Sequence, residues 1–159
     1  MNDFVDLDRR FADFAAGDDP DAQAECSYLE IFDGADQGLS WESLAQNRLL
    51  VVLGEPGSGK TRELQHQAER IREEGGSAYF LPFERLVRED VAAVLGARDW
   101  PGFSAWLKEG AEACFFLDAV DESQLQKTDD FLIALDRLHG SVRSHLSRCR
   151  FVISSRISA

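Results

Sequence analysis

One continuous stretch, LLVVLGEPGSGKTRELQ at residues 49–65, indicates the fold of this chain. It opens with an uninterrupted apolar run, Leu49–Leu53, of the kind found in strands that are buried on both faces. A glycine-rich turn follows the run, and a polar helix is predicted over residues 60–74. Gly75 and Gly76 are expected to end that helix, because glycine readily adopts the left-handed conformation common at helix C-termini.

The rest of the chain continues this alternation of strands and helices. Further strands are predicted at residues 78–83, 113–117 and 151–153. Further helices are predicted at residues 84–95, 104–108 and 129–146, with a Gly-Pro-rich turn between the first two. Strands that alternate with helices indicate a parallel sheet with helices on its faces, so the predicted fold class is α/β.

The predicted helix at residues 129–146 has an apolar face and carries two histidines. Its expected core face consists of Phe131, Leu132, Leu135 and Leu138. His139, His145 and the nearby Cys149 lie close together in sequence, but a fourth metal ligand at finger-like spacing is missing. Two histidines on a helix surface are therefore the preferred interpretation.

Residues 1–38 do not follow the α/β pattern, and the α/β domain is expected to cover residues 39–159. SYLEIF at residues 27–32 predicts a short strand, and Ser40 is predicted to be the N-cap of a helix that begins at Trp41. A helix is also predicted near the start of the chain from the spacing of Phe4, Leu7, Phe11 and Phe14.

Composition limits the possible partners. The chain has 159 residues, 44% of them hydrophobic, which suffices for one domain with its own core. Its 29 acidic and 17 basic residues give a net charge of −12, so direct contact with nucleic acid or an anionic membrane is not expected. Three cysteines without a C-x-x-C pair, and a first segment unlike a secretory signal, predict reduced thiols and a cytoplasmic protein.

The turn after the first strand carries the strongest functional signal. GEPGSGKT at residues 54–61 fits G-x-x-x-x-G-K-[ST] at every fixed position, between a strand and a helix. The glycines allow the backbone N–H groups to point at an anion, Lys60 can bridge phosphate oxygens, and Thr61 offers a hydroxyl to Mg²⁺. The predicted nucleotide-binding residues are Gly54, Glu55, Pro56, Gly57, Ser58, Gly59, Lys60, Thr61 and Arg62.

Acidic residues follow the predicted strand at residues 113–117. Asp118 stands at its carboxyl end, where ligands bind in open α/β sheets, and is predicted to hold Mg²⁺ together with Thr61. Asp121 and Glu122 come next and are candidates for the general base that polarises an attacking water.

The strand at residues 151–153 ends in Ser154, Ser155 and Arg156. A guanidinium at that edge of the sheet can contact a terminal phosphate and respond to its loss. Arg156 is therefore a third candidate catalytic residue.

Together these three segments resemble the NACHT branch of the STAND-type P-loop ATPases. In that family a Walker A loop is followed by a Walker B strand that ends in Asp-small-apolar-Asp-Glu, and a later strand ends in Ser/Thr-Ser-Arg. This chain matches at residues 54–61, 118–122 and 154–156, with Ala119 where the family often has glycine. The resemblance covers about residues 40–159. It implies a three-layer P-loop NTPase sandwich with a mainly parallel sheet.

The resemblance also implies a strand order and further parts. The strand at residues 151–153 is expected between Leu49–Leu53 and residues 113–117. A fifth strand, a helical domain and a winged-helix domain would follow, so the chain is expected to be a C-terminally incomplete piece of a longer protein. Either that fifth strand or the strand at residues 27–32 is expected to cover the outer edge of Leu49–Leu53.

The resemblance implies a nucleotide-driven switch that binds ATP or ADP with Mg²⁺ and hydrolyses ATP. Its expected setting is signalling or antiphage defence, with further C-terminal domains as partners and a homo-oligomer on activation. Hydrolysis by this piece alone is expected to be weak or absent. Two alternatives stay open: a small-molecule kinase, which the position of the loop and the lack of an arginine-rich lid oppose, and a nucleotide-binding scaffold without turnover.

Overall fold

A computed structural model of the protein describes residues 40–44, 46–54, 57–109, 111–118 and 128–155. The helix and strand predicted within residues 1–38 lie outside these residues. The chain divides into two compact units, Met1–Asn47 and Arg48–Ala159. The described part of the first unit contains a one-turn helix, α1 (Trp41–Leu44). The Ser43 N–H donates to the Ser40 hydroxyl at 3.4 Å, in keeping with the predicted N-cap.

The described part of the second unit contains four parallel strands, which confirms the α/β fold class. The strands are β1 (Leu49–Leu53), β2 (Ser77–Pro82), β3 (Ala113–Asp118) and β4 (Cys149–Ser155). Their order in the sheet is β1-β4-β3-β2. The fourth strand therefore lies between β1 and β3, which is the position that the resemblance implied.

The helices of this unit differ from the predictions mainly in their boundaries. They are α2 (Lys60–Glu73), α3 (Phe83–Leu86), α4 (Val91–Glu109) and α5 (Thr128–Val142), and a 3-10 helix (Arg143–Arg148) follows α5. As predicted, α2 ends at the glycine pair. Gly75 has a φ of 84°, and the Gly76 N–H donates to the Ile71 carbonyl at 2.8 Å.

The segment between β2 and β3 corrects two predictions. The single helix expected at residues 84–95 is divided, because α3 ends at Leu86 and Asp90 accepts a hydrogen bond from the Ala93 N–H at 2.8 Å at the start of α4. Most of the Gly-Pro-rich turn expected between residues 95 and 104, Pro101 included, is helical. The break is confined to Gly96, the first residue of that expected turn, whose φ of 65° and ψ of −173° suit only glycine.

Helices cover both faces of the sheet. α2 packs against β2 and β3 on the face that carries Phe116 and Val152. α3, α4 and α5 share a core with the opposite face, around Phe115 and Cys149. The chain crosses the sheet from β1 to β2 over one face and returns through β3 to β4 over the other. The connections change their direction across the sheet and the face they cover at the same point, so all of them have the same hand. A single hand is the rule for crossovers between parallel strands.

The aromatic core lies on the face covered by α3, α4 and α5. Trp106, Phe103 and Phe115 are each no more than 2% exposed, and their rings contact one another with centroids 5.5–6.3 Å apart. Trp106 also donates its ring N–H to the Ala111 carbonyl at 2.8 Å. This packing holds α4 and the start of β3 together.

The core face of α5 is not the one that the sequence pattern predicted. Ala134, Leu138 and Val142 are at most 3% exposed, whereas Leu132 is 56% and Leu135 43% exposed. Both spacings fit a helical period of 3.6 residues, and the small Ala134 is a weak signal beside two leucines. Phe131 and Leu138 were correctly placed, since Phe131 packs partly buried against the core.

The first strand is not buried on both faces. Leu49 is 62% and Val51 51% exposed, and Val52 on the α2 face is 9% exposed. The prediction was wrong because β1 ends the described sheet, and the helices described on its core side pack mainly on β2 and on one another. A continuous apolar run therefore does not by itself indicate whether one face or both faces of a strand are covered.

Candidate functional site

The turn between β1 and α2 has the backbone conformation that its glycines permit. Gly57 and Gly59 have φ values of 78° and 85°, in the left-handed region where side chains are disfavoured. Gly54, the first residue after β1, is tightly surrounded: a Cβ there would lie 3.3 Å from the Ser58 hydroxyl and 3.4 Å from the Lys60 Cδ. Two of the predicted loop residues, Glu55 and Pro56, lie outside the described residues.

The second helix begins directly at this turn. Gly59 is its N-cap and makes no side-chain cap hydrogen bond, and the first backbone bond runs from the Glu63 N–H to the Gly59 carbonyl at 3.0 Å. The N–H groups of a first helical turn have no acceptor within the helix and carry the positive end of its dipole. The start of α2 therefore has the polarity that an anion requires.

Lys60 brings a positive charge back over the same turn. Its ammonium Nζ donates to the Gly54 carbonyl at 2.5 Å and to the Ser58 hydroxyl at 3.4 Å. The side chain thus spans the turn from its last residue to its first. Thr61 and Arg62, which were also predicted to bind nucleotide, are exposed at the start of α2.

Asp118 is the last residue of β3 and is only 6% exposed. The Ser154 hydroxyl of β4 donates to its Oδ1 at 2.7 Å, and Ser154 is itself 1% exposed. Both side chains lie on the face of the sheet that α2 covers, because they share the strand alternation of Phe116 and Val152. Asp118 was predicted from the sequence as a site residue, whereas Ser154 was not.

Three neighbouring strands bring these groups to one edge. β1, β4 and β3 are parallel neighbours, and the register pairs Leu53 with Ser155 and Leu117 with Ile153. The same carboxyl edge of the sheet therefore carries the glycine turn, the serines at the end of β4 and Asp118. The chain leaves β1 over one face and β3 over the other, an arrangement that opens a crevice for ligands in α/β sheets.

The donor set at this edge suits a hard cation better than a soft one. The Asp118 carboxylate and the Thr61 hydroxyl are oxygen donors, which Mg²⁺ prefers. Within the described ranges there is no cluster of three or more His, Cys, Asp or Glu side chains around one point. These residues fit a Mg²⁺ ion that is held by few protein oxygens and by the phosphates of a ligand.

The predicted catalytic residues lie outside the described part of the chain. Asp121 and Glu122 come after β3, and Arg156 comes directly after β4. Their roles stay predictions from the sequence. What the structure adds is the position of the strands that precede them, since β3 and β4 are adjacent and end at the same edge.

The histidine and cysteine side chains near β4 have structural partners. His145 contacts the Leu107 carbonyl through Nε2 at 2.9 Å, and the Cys149 thiol donates to the His145 carbonyl at 3.3 Å. Burial raises the pKa of the Cys149 thiol, against the opposing effect of nearby arginines. These contacts tie the 3-10 helix to α4 and β4, far from the carboxyl edge.

A scan against protein-family models finds no matching family, and a search of curated proteins finds no match. Of the helices that the structure describes, none is both long and apolar enough to cross a membrane. The residues at the carboxyl edge and the motifs in the sequence are therefore the features that indicate a function for this domain.

Proposed function

We propose that this domain binds Mg-ATP at the carboxyl edge of β1, β4 and β3 as a P-loop NTPase of the NACHT and STAND type. The observation that carries the proposal is the turn at residues 54–61, which combines left-handed glycines, an inward Lys60 and the start of a helix without a side-chain cap. A turn that served only to connect β1 to α2 would need none of these three features together.

Each described group has a role in this proposal. The first N–H groups of α2 and the turn bind the β-phosphate. Lys60 exchanges its contacts with Gly54 and Ser58 for the β- and γ-phosphate oxygens, so that ligand binding opens bonds already present in the turn. Thr61 and Asp118 would hold Mg²⁺, which when bound neutralises phosphate charge.

Hydrolysis is assigned to the residues that follow β3 and β4. Asp121 or Glu122 would accept a proton from the attacking water, and the Arg156 guanidinium would stabilise charge on the terminal phosphate. The parallel pairing of β3 and β4 supports a shared site, because the residues after two adjacent strand ends start from neighbouring positions.

The biological role that this proposal favours is a nucleotide-driven switch. ATP binding and hydrolysis would change how the domain contacts further domains of the same protein or other copies of it. Signalling and antiphage defence are the settings that the resemblance implies. A small-molecule kinase and a binding protein without turnover would both use the same loop. The fate of the γ-phosphate distinguishes these two alternatives from ATP hydrolysis.

The direct test is calorimetric titration of the protein with Mg-ATP, Mg-GTP and ADP. Lys60→Ala removes the ammonium and is expected to weaken nucleotide binding at least tenfold, a loss of about 1.4 kcal/mol or more. Lys108→Ala, which removes an exposed lysine near the end of α4, is the matched control and should leave affinity unchanged. Equal ADP affinity in the wild type and in Lys60→Ala would overturn the assignment of the loop.

A further inference from the structure

The buried pair of Ser154 and Asp118 has a geometry that a purely structural serine does not require. Ser154 occupies a strand position next to apolar Val152 on the same face, and it is 1% exposed. Valine or isoleucine is favoured at such a position, because β-branched side chains pack well on a pleated surface. A buried hydroxyl has a desolvation cost that its hydrogen bonds must offset.

The hydrogen bond of Ser154 is directed at a carboxylate. The distance from Ser154 Oγ to Asp118 Oδ1 is 2.7 Å, within the range of bonds between a hydroxyl and a charged oxygen. Both partners lie on adjacent strands whose backbones are fixed by parallel pairing. The bond therefore restricts the orientation of the Asp118 carboxyl group, and it still leaves acceptor capacity on that group.

We infer that Ser154 is a positioning residue for the metal-binding carboxylate: its hydroxyl orients Asp118 toward Mg²⁺ at the nucleotide site. The inference rests on the proposed function. It assigns to Ser154 the part that outer hydrogen-bond partners play at metal sites, where their loss commonly lowers metal affinity about 10- to 100-fold. It also gives β4 a part in the metal site besides that of carrying Arg156.

The test measures how nucleotide binding depends on Mg²⁺. A fluorescent ATP analogue is titrated into the protein at fixed Mg²⁺ concentrations, and ADP binding is measured in excess EDTA. Ser154→Ala should raise the Mg²⁺ concentration for half-maximal binding about tenfold or more. ADP affinity in EDTA should not change, because the loop and Lys60 remain intact.

Two further variants separate positioning from folding. Ser154→Thr keeps the hydroxyl and should restore the Mg²⁺ dependence of the wild type. Ser141→Ala removes a serine hydroxyl that bonds to the Arg137 carbonyl at 3.0 Å within α5, and it should behave as the wild type in both assays. Thermal unfolding of each variant without ligand measures any general loss of stability.

The possible results are distinct. If the wild type binds no nucleotide, the proposed function fails and the inference fails with it. If the wild type binds with Mg²⁺ dependence and Ser154→Ala shows the same dependence, only the role of Ser154 is overturned. If Ser154→Ala loses ADP affinity in EDTA to the same extent, the serine is a structural residue of the site and the positioning role is wrong.

Discussion

Gly57 illustrates how one residue determines the shape of the turn between β1 and α2. Its φ is 78°, yet no heavy atom of the other described residues, its chain neighbours aside, lies within 4 Å of the position that a Cβ would take. A side chain there would therefore meet no steric obstacle, and its cost would come from the backbone alone, about 1–2 kcal/mol. Gly140, inside α5, also has open space around it, but its φ lies outside the left-handed region.

The two glycines predict opposite effects of the same substitution. Gly57→Ala should lower the free energy of unfolding by about 1–2 kcal/mol, or distort the turn and weaken nucleotide binding. Gly140→Ala should raise that free energy by about 0.5–1 kcal/mol, because alanine favours a helix interior over glycine. Urea denaturation checks both values. A Gly57→Ala protein with unchanged stability and unchanged ADP affinity would show that the turn does not need its left-handed residue.

Cys114 predicts a pH dependence of stability. Burial raises the pKa of its thiol to about 12, with a smaller opposing effect of the Arg150 guanidinium on the neighbouring strand. An unfolded thiol ionises near pH 9, so unfolding releases a proton above that pH. The stability that the neutral thiol contributes is present below about pH 9 and is lost between about pH 9 and 12.

Comparison with Cys114→Ala isolates this effect from other groups that titrate in base. The difference in free energy of unfolding between the wild type and the variant should shift against the wild type as pH rises above 9, by at most about 1.4 kcal/mol per pH unit. Urea denaturation between pH 7 and 10.5 measures it. Parallel stability curves for the two proteins would contradict the raised pKa.

At the scale of elements, α5 distinguishes a predicted core face from an observed one. Leu135 and Leu138 are the same residue type in one helix, but Leu135 is 43% and Leu138 3% exposed. Leu138→Ala should lower the free energy of unfolding by about 2–5 kcal/mol, as for other buried leucines. Leu135→Ala should change it by no more than about 0.5 kcal/mol. Denaturant unfolding of both variants is the measurement, and equal losses would place both leucines in the core.

Elements were predictable where a local signal decides them. Strand β1 has the predicted bounds, and the glycine pair ends α2 as expected, because a short apolar run and a left-handed C-terminal glycine are local features. The Gly-Pro-rich turn expected between residues 95 and 104 is reduced to a break at Gly96, because the sequence pattern does not show how far such a turn extends. Whether a face of β1 is buried or exposed depends on the elements that pack on it, and the sequence pattern of β1 does not show which elements do so.

The candidate site was predictable to the same degree. The glycines, Lys60 and Asp118 follow from motif and strand position, and the structure places them at one edge of the sheet. The bond from Ser154 to Asp118 joins residues of two strands and depends on the order β4-β3. The sequence held a signal for this bond, since Ser154 ends the apolar run of β4 directly after Ile153. Its partner became identifiable only with the strand register.

At the scale of the whole molecule, the strand order would connect the nucleotide binding and the hydrolysis that we propose. β4 lies between the strand that leads into the loop and the strand that ends in Asp118, so its last residues stand between the two halves of the site. Under the proposed function, a change at the γ-phosphate would reach β4 through Arg156, and β3 through Asp118 and Ser154. Under that proposal, the arrangement favours a switch over a passive binding module, because two strands would respond to one phosphate.

The acidic pair after β3 predicts that binding and turnover can be separated. Asp121→Asn and Glu122→Gln each remove one carboxylate without changing side-chain size, and neither residue belongs to the turn at residues 54–61. Both variants should bind Mg-ATP as the wild type does, and the variant that lacks the general base should slow release of the γ-phosphate about 100-fold or more. Single-turnover measurement with γ-labelled ATP gives that rate, and Glu109→Gln, an exposed acid at the end of α4, is the control. Equal rates in the wild type and both variants would show that the base lies elsewhere. Transfer of the label to a small molecule instead of water would favour the kinase alternative.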